Sequence, residues 1–150
     1  MVETLRRHIN AVNDPAVRID LYAQMGQVYE EDLRDIDRAV EAYNDILSFD
    51  GDNNAALSAL SRLYEKIEDW DRSIETASRL VELTDDLGTR VDLHQRIGRI
   101  YEERLRDPDT AETRYAEALG LDPSYLPAMQ SLTSLYQKRG DWLKAAQMMV

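Results

Sequence analysis

The residues best equipped for chemistry in this 150-residue chain are its carboxylates, and their spacing suits surfaces better than catalysis. Two acidic doublets, Glu30-Glu31 and Glu102-Glu103, come nearest to a paired acid and base. Adjacent helical residues point about 100° apart, so neither doublet forms a facing pair, and both read as solvated faces. Asp50-Gly51-Asp52-Asn53-Asn54 opens like a calcium loop, but the sixth position, where such a loop needs glycine, is Ala55 and the twelfth, where it needs glutamate, is Ser61. It reads as a turn and a helix cap. The two histidines, His8 and His94, lack metal-ligand spacing, and the absence of cysteine removes thiolate nucleophiles, disulfides and Cys-based metal sites. No serine stands in a G-x-S-x-G elbow, and no glycine-rich loop could cradle a phosphate. The expectation is a chain that is not an enzyme, with no cofactor and no metal.

Composition narrows the partners. A formal charge of −11 opposes nucleic acid and anionic membrane surfaces. Trp70, Trp142 and the tyrosines fall at helical core spacing, which assigns them to packing and not to base stacking. No apolar run approaches the roughly 20 residues of a membrane span, and the start lacks a signal-peptide apolar core, so the default compartment is cytoplasmic. Abundant charge with few glycines and prolines suits a helix-rich chain.

The elements that must position these residues repeat. Shifted by 72 residues, 18–78 aligns with 90–150 without a gap: Gly26 meets Gly98, Tyr29 meets Tyr101, Tyr43 meets Tyr115, Tyr64 meets Tyr136, and Asp69-Trp70 meets Asp141-Trp142. Tyr29, Tyr64, Tyr101 and Tyr136 lie 35, 37 and 35 residues apart, so each block is two units. A period of this size marks a stacked array.

Residues 1–13 read as a helix with Val2, Leu5, Ile9 and Val12 on one side, matching the second helix of a unit. Helices are then expected over about 16–32 and 36–49, 54–67 and 70–84, 87–105 and 108–121, and 124–139 and 142–150. Asp14-Pro15 and Asp107-Pro108 are helix starts, and Asp35 and Asp69 are caps. Units one and three carry one extra residue, which is expected in the turn between their helices. The domain reading is a single array: a partial repeat at 1–14, repeats at 15–52, 53–86 and 87–123, and a truncated repeat at 124–150. Neither end carries a polar capping helix, so the chain reads as a fragment of a longer array, or as one that self-associates through open ends.

Small-x-x-Tyr, then a small residue nine or ten positions on, then an aromatic or small residue four later, resembles the tetratricopeptide repeat. Met25-Gly26-x-x-Tyr29 and Ile97-Gly98-x-x-Tyr101 carry the pattern, with Leu60-Ser61-x-x-Tyr64 and Leu132-Thr133-x-x-Tyr136 as variants. The small residue corresponds to Ala39, Ser73, Ala111 and Ala145, and the aromatic to Tyr43 and Tyr115. The closing Asp-Pro is intact only as Asp122-Pro123. The resemblance implies an all-α fold of antiparallel helix-pair repeats stacked into a right-handed α-solenoid. It also implies a scaffold that binds a peptide or partner helix in a concave groove lined by the first helices.

The groove positions that the resemblance implies include Gln27, Glu30, Arg62, Gln95, Arg99 and Gln130. Arginine forks and amide donors there could grip a carboxylate or a peptide backbone, unless Arg62 and Arg99 are spent on ion pairs with Glu30, Glu65 and Glu102. Ala23 and Gln27 stand where the family's clamp for C-terminal carboxylates has lysine and asparagine, which argues against that specialised function. The expected partner is another protein or peptide, basic or amphipathic, with no nucleic acid and no membrane. The alternative is self-association through apolar end residues such as Leu5, Ile9, Met148 and Met149.

Overall fold

A computed structural model describes residues 1–149, and every regular element among them is helical. In order these are α1 (Val2–Ala11), α2 (Pro15–Gln27), α3 (Ile36–Phe49), α4 (Asn54–Lys66), α5 (Trp70–Leu83), α6 (Leu87–Arg99), α7 (Pro108–Leu121), α8 (Leu126–Arg139) and α9 (Trp142–Met148). Val150, expected at the end of the last helix, lies outside the described residues.

The starts are fixed by side chains that accept the orphan amides of the first turn. Asp14 accepts from Ala16 N at 2.9 Å, Asp35 from Arg38 N at 3.2 Å, and Asn53 from Ala56 N at 2.9 Å. Asp69, Asp86, Asp107 and Asp141 cap α5, α6, α7 and α9 in the same way. Expected to start at Ser124, α8 begins two residues later. Asp122 holds the Ser124 amide at 2.9 Å and its hydroxyl at 2.7 Å, and this side-chain turn displaces the first helical turn.

The extra residue of units one and three is not in the turn. It widens the end of the helix: α2 continues into a π-turn at Val28–Asp32 and α6 into one at Ile100–Arg104. Leu33 N bonds Val28 O and Leu105 N bonds Ile100 O, both at 3.1 Å. A π-turn is the form a single inserted residue takes when the flanking helix is held by its packing. The next element therefore starts alike in all four pairs, with the capping aspartate amide donating to the tyrosine carbonyl: Asp35 to Tyr29, Asp69 to Tyr64, Asp107 to Tyr101 and Asp141 to Tyr136.

The helices gather into two compact units, Met1–Leu80 and Val81–Val150. In the first, α1 lies on α2, α2 on α3 and α3 on α4. Its core joins Leu5 and Ile9 to Met25, Tyr29, Ala39, Tyr43, Ile46, Leu60 and Leu63. Leu5 and Ile9, expected at an open end, are buried there. In the second, α6 lies on α7, α7 on α8 and α8 on α9, around Val91, Ala111, Tyr115, Ala118, Ala128, Leu132 and Leu135.

Candidate interaction surface

In the first unit the residues expected at the surface hold one another. Glu30 stands in the π-turn after α2, and Arg62 and Lys66, one turn apart on α4, both reach it. Arg62 donates from both terminal nitrogens to the two carboxylate oxygens, and Lys66 Nζ lies 2.8 Å from Oε1. The Arg62 guanidinium first, opposed by burial and aided by Lys66, holds the Glu30 carboxyl down to about 2. Arg62 makes the pair with Glu30 that was weighed as the alternative to partner contact, and its side chain stays about half exposed. Gln27 is exposed and donates to Glu31 at 3.2 Å.

In the second unit the corresponding carboxylate is Glu102, in the π-turn after α6. Its Oε1 lies 3.1 Å from Lys138 Nζ and its Oε2 accepts the Tyr115 hydroxyl at 2.8 Å. Burial first, and then the Glu102 carboxylate, push the Tyr115 phenol far above its ordinary range, against a hydrogen bond from Ser131. Ser131 in turn accepts from Gln95 Nε2 at 3.0 Å. Gln95 was expected at a partner contact; instead it is buried on α6, with its Oε1 unpartnered. Arg99 is exposed and loosely paired with Glu103 at 3.8 Å. Gln130 is exposed on α8 beside an open cavity of about 440 Å³.

Other contacts tie tyrosines to carboxylates. Tyr125 donates to Asp92 at 2.7 Å, and burial together with that carboxylate pushes its phenol up to about 12. Tyr136 donates to Glu112 at 2.9 Å, and Arg139 also bonds Glu112. His94 is buried, with Nδ1 3.1 Å from Glu117 Oε2 but outside hydrogen-bonding geometry. Burial first, and then Arg114 and Arg90, lower its pKa, while Glu117 opposes them.

Of the expected surface residues, then, Glu30 and Arg62 come together, Gln95 is withdrawn into the interior, and Gln27, Arg99 and Gln130 remain exposed. Lys66, Lys138, Tyr115 and Ser131 were missed as members of these hydrogen-bonded clusters, Tyr115 from the buried side. The 72-residue register held the signal for three of them, since Lys66 matches Lys138 and Tyr43 matches Tyr115 around the matched pair Glu30 and Glu102.

Comparison with known proteins follows this pattern. Models described as tetratricopeptide repeat match residues 19–53, 56–91 and 91–125. No curated protein matches the sequence. Among solved structures, a crystal structure of MamA is similar with TM-score 0.75 and 18% identity, over 98% of this chain and 81% of that one. A tetratricopeptide repeat protein from Parabacteroides merdae is similar with TM-score 0.76 and 16% identity, over 98% of this chain and 56% of that one. BtubC (BKLC) from P. vanneervenii is similar with TM-score 0.71 and 18% identity, over 97% of this chain and 66% of that one. At such identities the likeness is one of fold alone.

Proposed function

Because the chain belongs to the tetratricopeptide repeat family, we propose that it is a protein-interaction scaffold that binds a peptide or helical segment of a partner in the concave groove formed by the first helices of its pairs. The observation that carries this reading is the exposure of polar donors on the first helices within each unit taken by itself, Gln27 on α2 in the first, and Arg99 on α6 and Gln130 on α8 in the second, while each unit keeps an apolar core of its own. No catalytic role is assigned to the chain. Among the described residues no helix is long and apolar enough to cross a membrane. The partner segment is basic or amphipathic, since a chain of formal charge −11 steers cations toward itself.

The test is capture from a source-cell lysate with the immobilised chain, beside a Gln27→Glu/Arg99→Glu/Gln130→Glu variant of unchanged helicity. Arg62 is left intact because its loss would strand Glu30. A protein retained by the wild type and lost by the variant supports the reading, and identical capture by both sinks it. A second reading, self-association, is favoured by the large apolar side chains exposed near α8 and α9: Leu126, Trp142, Leu143 and Met149. Sedimentation would decide it, by a mass that rises with concentration.

A further inference from the structure

In each helix pair the first helix carries a large side chain four residues before the small residue of the crossing. That side chain is Tyr22 before Gly26, Leu57 before Ser61 and Met129 before Thr133, but before Gly98 it is His94. The place keeps its interior character, since His94 is 7% exposed and Leu57 2%. An imidazole has therefore taken a core position where α6 crosses α7. Its Nδ1 is buried and makes no hydrogen bond, although Glu117 Oε2 lies 3.1 Å away.

The cause lies on α7. Arg114, one turn before Glu117, donates to the same Oε2 at 3.2 Å. Glu117 is thus already engaged by a guanidinium that keeps its charge at any ordinary pH. Arg90 acts on His94 from one turn earlier on α6, and its own Nε is buried without a partner. The π-turn that follows α6 sends its carboxylates elsewhere, Glu102 to Tyr115 and Lys138, and Glu103 to Arg99. The imidazole therefore meets two arginines and a single carboxylate, which one of those arginines holds. A neutral ring suits that setting and an imidazolium does not. At the matching crossing of the first unit, Tyr22, Ala42 and Asp45 stand in the register of His94, Arg114 and Glu117.

We propose that His94 is an acid-sensitive latch on the α6 and α7 pair: at neutral pH the uncharged ring fills the crossing, and its protonation in mild acid loosens the second unit while the first stays closed. Burial first, and then the two arginines, disfavour the charged ring in the fold, and Glu117 opposes them. A histidine of this kind contributes stability that is whole above its ordinary pKa of 6.5 and declines as the pH falls below it. Loosening α6 from α7 also parts Tyr115 from Glu102, whose hydrogen bond spans the same crossing. The polar face of the second unit is thereby gated by pH. The latch is a property of the fold and stands or falls apart from the scaffold reading.

Amide hydrogen exchange of the full chain at about pH 7.5 and about pH 5.5, corrected for the intrinsic pH dependence of exchange, reads the opening of each unit separately. The expected result is an opening of α6 and α7 that rises about three- to tenfold in acid, with α2 and α3 changing less than about twofold. His94→Leu installs the residue that Leu57 supplies at the same place, so it should fold, and the rise should vanish. His8→Gln removes the other histidine and should leave the rise intact. Arg114→Gln frees Glu117 for the imidazolium and should shrink the rise, an effect that a purely packing role for His94 would not produce. A rise of equal size in His94→Leu overturns the proposal, as does an equal rise in both units, a rise undiminished in Arg114→Gln, or a tightening of α6 and α7 in acid.

Discussion

The Tyr115 ring lies so close over Gly98 that a Cβ on that glycine would stand 2.5 Å from Cε1 of the ring. Gly26 meets Tyr43 in the same way at 2.9 Å. Each glycine lets a second-helix tyrosine lie flat on the first helix. In the other two pairs the glycine is Ser61 or Thr133, and the matching tyrosine is Ala77 or Met149. Where the first-helix residue gains a side chain, the residue opposite it gives up its ring, so glycine and tyrosine go together at this crossing.

Gly98→Ala should therefore destabilise the second unit by about 2–3 kcal/mol, because the fully buried Tyr115 has no room to move. Gly26→Ala should cost less, since Tyr43 retains some exposure at 9%. Urea midpoints of the two variants, read by circular dichroism, check the order. Equal losses would show that the rings yield alike.

The Glu30 cluster predicts a pH dependence with a definite sign. Its folded carboxyl is depressed from an ordinary 4.5 to about 2, so its stabilisation is complete above pH 4.5 and is lost as the pH falls toward 2. Arg62 and Lys66 are about half exposed, and solvent screening limits the effect to roughly 1 kcal/mol. Glu30→Gln should be less stable than the wild type at pH 7 by about that amount, and the gap should close by pH 2. Denaturation of both proteins at the two pH values provides the comparison, and a gap independent of pH would refute the ion-pair account.

A third prediction concerns the residue before each cap. Arg34, Glu68, Arg106 and Gly140 all have positive φ, at 51°, 59°, 56° and 75°. Only one of the four is glycine, and a side chain in this left-handed region costs about 1 kcal/mol. Glu68→Gly should raise stability by up to about 0.5 kcal/mol after glycine's larger loss of chain entropy, and Gly140→Glu should lower it by about 1 kcal/mol. Thermal melts of the two single variants decide the matter.

Helix positions, caps and the pairing of small with large residues were legible in the sequence because they follow from local rules and from self-similarity. The repeat of Gly26-x-x-Tyr29 as Gly98-x-x-Tyr101 pointed to the family before any contact was known. Two features were not legible. Nothing local distinguishes a residue inserted in a loop from one absorbed in a π-turn; the tyrosine-carbonyl to aspartate-amide bond decides it, and that bond is a product of packing. Burial of Gln95 was hidden for a similar reason. The repeat register placed it on the groove face, but its amide reaches Ser131 across to the next pair. Arg62 was legible both as a donor and as a partner of Glu30, and only geometry shows that it reaches Glu30.

In the 72-residue register Arg62 on α4 matches Ser134 on α8, and this exchange leads to a last prediction about stability. If Arg62 stabilises the first unit through Glu30, then Ser134→Arg should stabilise the second through Glu102 by up to about 1 kcal/mol, and Arg62→Ser should weaken the first by a similar amount. The two changes act in different units, so hydrogen exchange should localise them: slower amide exchange around Ile100–Arg104 for Ser134→Arg, and faster exchange around Val28–Asp32 for Arg62→Ser. The gain depends on Glu102 remaining available. In Glu102→Gln, Ser134→Arg should bring no stabilisation, and a gain that persisted there would mean the arginine acts through its aliphatic stem against Met129 and Met148 and not through its charge.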